Sequence, residues 1–210
     1  ALRAVAALPG ELQLITNRRE RVRALGQLKE RMVAVSRHSI TDYWSDRLMD
    51  SARMAQTDIF RPQINSVRIR TDMLCNATMD AALLPQPFAL ETRLRGHALN
   101  FSTEGLQPRL AALLVPTAVL ADTTRLQQIR WLFQGYDEAV ALRDSLPALL
   151  KQLCLTPDSL TDTIARALPP LPLLAEPRRA DADAALRWIT SRGKARKGYT
   201  PDTLIQTITR

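Results

Sequence analysis

The stretch ELQLITNRRERVRALGQLKERMVAVS, residues 11–36, decides how the chain is read. At a helical period Ile15, Val22, Leu25, Leu28, Met32 and Val35 fall on one broad face, which predicts a long helix. The segments that follow read the same way. Over 40–59, Trp44, Leu48, Ala52, Ala55 and Ile59 form a single apolar stripe, and Arg61-Pro62 stops it. A third helix is expected over 66–84, carried by Ile69, Met73, Ala77 and Leu84, ending at Pro85-Gln86-Pro87. Between 88 and 103, Leu90, Thr92 and Leu94 alternate with charged residues and Gly96-His97 offers a turn, the pattern of a short hairpin. Helical spacing resumes over 106–115 and 117–134. The expected fold class is therefore mainly α: a multi-helix domain with a short β-hairpin near 88–103 and a duplicated helical hairpin at the C-terminal end.

The duplication is visible as an alignment of 137–166 with 181–210 at a constant offset, with eleven identities in thirty positions. Composition alone would give about two. Asp137, Ala141, Leu142 and Arg143 recur as Asp181, Ala185, Leu186 and Arg187, and Thr156-Pro157-Asp158 recurs as Thr200-Pro201-Asp202. Threonine as N-cap, proline in the first turn and aspartate at the positive end of the dipole form a helix start. The Pro-rich apolar stretch 168–174 joins the copies as a stiff linker. This organisation suggests a helical domain over 1–134, with a basic first helix, and a two-copy repeat over 135–210.

Composition fits a soluble globular chain: 210 residues, 46% hydrophobic, mean hydropathy −0.14. The apolar run at 110–120 is broken by Pro116 and is too short to span a bilayer. Ala4 to Leu8 is too short for a secretory core, so the expected setting is the cytosol, with no membrane partner. Cys75 and Cys154 stand far apart and read as buried thiols rather than a disulfide or metal pair. The net charge of +8 belongs to the ends: residues 1–37 and 177–210 each carry +5, and the middle carries −2.

No glycine-rich phosphate loop, paired metal-ligand spacing or nucleophile motif stands in the chain, so neither a cofactor, a metal nor a catalytic residue is expected. His38, Asp42, Asp46 and Asp50 repeat every fourth residue, but the set spans roughly 18 Å along a helix. The aspartates fall opposite the Trp44 stripe, where a solvated face belongs. The densest chemical signal is Arg192-Gly193-Lys194-Ala195-Arg196-Lys197-Gly198-Tyr199, which is basic where the first repeat is apolar. Cations bracketed by glycines let a backbone approach phosphates, and Tyr199 and Trp188 stand near for stacking.

The function expected from these residues is a non-enzymatic nucleic-acid-binding protein, an accessory subunit of a nucleoprotein complex. Arg187, Arg192, Lys194, Arg196 and Lys197 would hold phosphates, with Tyr199 stacking and Arg178-Arg179 extending the patch. Arg18, Arg19, Arg21 and Arg23 would supply a second contact. The expected partners are DNA or RNA, bound without sequence preference, and other protein subunits. The alternative is a helical adaptor in a multiprotein assembly.

Overall fold

The computed structural model describes residues 1–8, 10–106, 108–109, 111–142, 160–195 and 198–208. The chain falls into two compact units. Unit 1 comprises Ala1–Gly10, Leu106–Leu149 and Pro169–Arg210; unit 2 comprises Glu11–Gly105 and Leu150–Leu168. Each has a sheet of its own, so the chain is mixed α/β and the mainly-α expectation is overturned.

Unit 2 is built on a four-stranded sheet. Its strands are β2 (Leu12–Thr16), β3 (Val33–Ala34), β4 (Ala81–Pro85) and β5 (Ala98–Ser102), in the order β3-β4-β2-β5. β2 runs antiparallel to β4 and to β5, and β3 runs parallel to β4. The stretch read as one long helix over 11–36 thus becomes β2, a 3-10 turn at Leu25–Leu28, and β3. The reason is burial on both faces. All five residues of β2 are buried, so it shows none of the alternation that marks a half-exposed strand. A short apolar run of that kind cannot be told from a buried helical turn by periodicity. The same ambiguity hid β4, whose Ala81, Ala82, Leu83 and Leu84 are fully buried at the end of the expected third helix.

Helices pack on this sheet. α1 (Ile40–Ser51) and α2 (Val67–Cys75) are shorter than expected but start where serine caps stand: Ser39 accepts from the Thr41 amide, and Ser66 from the Ile69 amide. The 88–103 stretch holds helix α3 (Phe88–Leu94) followed by β5, rather than a hairpin. α3 also carries a small cluster in which Leu90 packs on Ile164 and Ala165. The core collects Ile15, Ala34, Leu74, Ala82 and Leu84 around Phe88 and Ala89.

Unit 1 has a two-stranded antiparallel sheet of β1 (Leu2–Leu8) and β6 (Ala111–Pro116), where 106–115 had been expected to be helical. One face packs on α4 (Thr117–Leu120) and α5 (Thr123–Leu142), through Val5, Val115, Leu120, Ile129 and Phe133. α6 (Thr161–Ala167) belongs to unit 2, and α7 (Arg179–Ser191) and α8 (Pro201–Leu204) to unit 1. The capped start at Thr200 is present: its hydroxyl accepts from the Thr203 amide, with Pro201 following. Its counterpart at 156–158 lies outside the described residues. No helix among the described residues is long and apolar enough to cross a membrane.

Candidate functional site

The chemistry-bearing edge of unit 2 is set by its parallel strands. β3 and β4 point the same way, and the segment after α1 joins them, with parallel bridges from Met32 to Phe60 and from Val35 to Gln63. Each of these three segments then turns into a helix. β3 leads to α1, the 60–65 segment to α2, and β4 to α3. The carboxyl ends of parallel strands are where open α/β sheets place ligands, because the turns there are free of sheet pairing.

Short polar residues fill these turns. The Ser36 amide donates to Thr41 Oγ1 (2.9 Å), and the Ser36 hydroxyl donates to Asn65 Oδ1 (3.0 Å). That bond ties the β3 turn to the turn before α2, and it leaves the Asn65 amide nitrogen to other acceptors. Gln63 Nε2 lies 3.4 Å from the same Asn65 oxygen. Ser39 Oγ donates to the Ser36 carbonyl (2.7 Å) and lies 2.9 Å from Thr41 Oγ1. His38 sits in the left-handed region at φ +57°, which lets its amide donate to Asp42 Oδ2 at 2.9 Å. The carboxylate of Asp42 thereby pins the turn before α1, whose N-cap is Ser39. Arg37, exposed, donates to the Arg61 carbonyl at 3.2 Å and stands beside this cluster.

Behind the turns lie buried charges. Asp42 and Asp46, expected on a solvated face, are 0% and 6% exposed. Arg61 explains them: its guanidinium reaches Asp46 at 2.5 Å and Asp42 at 3.7 Å and also donates to Ser45 Oγ. Among the described residues no group of three or more His, Cys, Asp or Glu side chains could hold a metal ion. Arg70 is a different case. It is 2% exposed, donates to the Ile64 carbonyl at 2.7 Å, and its Nε has no partner among the described residues. Burial pulls its pKa down. A buried cation thus sits under the turn that carries Asn65. α3 is held at the third turn by Glu91, 3% exposed, which takes Arg68 at 3.1 Å and Arg95 at 3.2 Å.

The residues singled out for nucleic-acid contact fall in separate units. Arg18, Arg19, Arg21 and Arg23 are exposed on the turn after β2 in unit 2. Arg187, Arg192, Lys194 and Tyr199 belong to unit 1, while Arg196 and Lys197 lie outside the described residues. Arg187 pairs with Asp183 at 3.1 Å, and the Arg192 guanidinium lies 4.8 Å from the Trp188 ring centroid. Gly193 and Gly198 both take positive φ, as their bracketing of that loop requires. Ser36, Gln63, Asn65 and Arg70 were missed. The signal available was Val33-Ala34-Val35-Ser36 followed by the Ser39 cap and Asp42, which is a strand, a turn and a helix start.

No family model matches the chain, and no curated protein matches it. Solved structures do. The alkanesulfonate-binding protein SsuA from Xanthomonas axonopodis pv. citri, bound to MOPS, matches with a TM-score of 0.77 and 16% identity, over 98% of this chain and 74% of that one. The periplasmic aliphatic sulphonate binding protein SsuA from Escherichia coli matches at 0.74 and 17%, over 97% and 72%. The desulfurization enzyme DSZB matches at 0.62 and 13%, over 98% and 77%. The chain has the fold of these proteins. That overturns the expected nucleic-acid-binding subunit and the helical adaptor, along with their nucleic-acid and scaffold partners. Both were drawn for a mainly helical chain, and the two SsuA proteins that share this fold are named for binding alkanesulfonate and aliphatic sulphonate.

Proposed function

We propose that the chain is a binding module for a small organic anion of the sulfonate class, held at the edge of unit 2 and released unchanged. The observation that carries this is the meeting of three strand-to-helix turns, with Ser36, Gln63 and Asn65 presenting hydrogen-bonding side chains above the buried Arg70. A sulfonate has three acceptor oxygens and one delocalised charge, which suits neutral donors backed by a cation better than a metal or a catalytic base. The likeness in fold to sulfonate-binding proteins supports the same reading.

The test is calorimetric titration with butanesulfonate, with sulfate and a twelve-nucleotide DNA strand as comparisons. Butanesulfonate is expected to bind one per chain, and Asn65→Ala to weaken it about tenfold or more, the loss of a hydrogen bond to a charged group. Binding of the DNA strand alone would overturn the proposal.

A further inference from the structure

The far face of the β1–β6 sheet in unit 1 is hollow, and the reason is in the residues. Ala4 and Ala7 of β1, Ala112 of β6, and Ala182 and Ala185 of α7 line a cavity of about 500 Å³. Each of these side chains stops at Cβ, and the larger Leu204 and Ile205 line the cavity beside them. The opposite face of the same two strands carries Val5 and Val115 and is closed by Phe133 and Ile129. Protein interiors are packed to crystal-like density, and an apolar hollow of this size falls in the range of small-molecule sites rather than packing faults.

Polar groups are few and sit on its wall. Arg178 is held by Asp181 through two bonds, at 2.6 and 2.9 Å, which neutralises it. Arg109, exposed, has no ion-pair or hydrogen-bond partner among the described residues. Tyr199 contributes a ring, half exposed at 47%, with Leu2 and Leu114 also open to solvent. The chemistry is therefore an alanine floor, an aromatic ring, three leucines and an isoleucine at the wall, and Arg109, a cation unmatched among the described residues.

We propose that this cavity is a second small-molecule site, distinct from the edge of unit 2, for an amphiphilic anion. The apolar body lies on the alanine floor and the single anionic head group pairs with Arg109. The proposal stands on unit 1 alone and does not depend on the reading of unit 2. Charge complementarity selects an anion, and the absence of long side chains under it selects a body of several carbons over an inorganic ion.

The probe is 11-(dansylamino)undecanoic acid, a carboxylate and not a sulfonate, whose fluorescence rises on leaving water, titrated into the full chain with stoichiometry read by calorimetry. The expected result is saturable binding at one site that is weakened at least about tenfold by filling the floor with Ala112→Leu and Ala185→Leu. Arg109→Ala should weaken it about tenfold and Arg109→Lys should retain most of it, since a charged hydrogen bond is lost in one and kept in the other. Near-ultraviolet circular dichroism checks that each variant is folded; if the double variant is not, each single leucine is read instead. No saturable binding, binding indifferent to both the leucines and Arg109, or a dimer in sedimentation that excludes the dye would each overturn the proposal.

Discussion

The two sheets of this molecule differ in what stands on their second face. In unit 2, Leu14, Ile15, Leu83 and Leu84 are all 0% exposed, so β2 and β4 are covered above and below. In unit 1, β1 and β6 cover one face with Val5 and Val115 and leave alanines on the other. The exposed apolar side chains follow: Leu2 and Leu114 are 52% and 54% open, on the very strands whose far face is hollow. The difference teaches that a strand's surroundings, more than its composition, decide how legible it is.

The comparison is broken most severely through the charges of unit 2. Arg61→Ala would leave Asp42 and Asp46 buried without their cation, and should cost about 3–5 kcal/mol in chemical denaturation. The exposed pair Arg187–Asp183 in unit 1 should give no measurable change when Arg187 is replaced by alanine. If the two variants cost the same, the buried character of the Arg61 pair is wrong.

Apolar truncation sharpens the contrast. Leu83→Ala should cost about 2–5 kcal/mol, because the side chain is fully buried and its neighbours cannot close over the space. Leu114→Ala should cost under about 0.5 kcal/mol, since more than half of that side chain already meets water. Equal losses at both positions would mean that the open face of unit 1 is covered in solution.

A smaller effect is expected at the α8 cap. Thr200→Ala removes the acceptor for the Thr203 amide and should cost about 1 kcal/mol, with Thr200→Ser restoring most of it.

The mildest effect is one of pH. His97 is buried in unit 2, its Nδ1 accepts the Arg18 amide at 3.3 Å, and burial, then Arg18 and Arg95, lower its pKa from 6.5. A histidine held neutral in the folded state binds fewer protons than the unfolded chain does. Its contribution is thus fully present above pH 6.5 and is lost as pH falls below that value toward the folded pKa. Denaturation midpoints taken from pH 7.5 down to 5 should fall more steeply for the native chain than for His97→Gln. Parallel slopes would remove His97 from the account.

Local signals were legible where a side chain acts on its own neighbours. Thr200 caps the helix its position predicted, whereas α1 ends at Ser51, well before the expected stop at Arg61-Pro62. Strands β2, β3 and β4 were not legible, because being covered on both faces erases the alternation that separates strand from helix. The aspartates of α1 misled for a related reason. A wheel places Asp42 and Asp46 opposite Trp44, but only the fold reveals that Arg61 from a later turn covers that side too. The candidate site was hidden most of all. Ser36, Gln63 and Asn65 are unremarkable in sequence, and only the parallel bridges that bring 60–63 beside β3 make them neighbours. The conspicuous arginines, by contrast, were visible as charge but are divided between the two units.

The most direct test of the central claim is a two-dimensional amide NMR titration of the isotope-labelled chain with butanesulfonate. The account predicts saturating shifts concentrated at residues 36–42, 63–66 and 86–88, the three turns at the edge of unit 2. Shifts confined to residues 18–23 and 192–199, or none at any concentration, would contradict it.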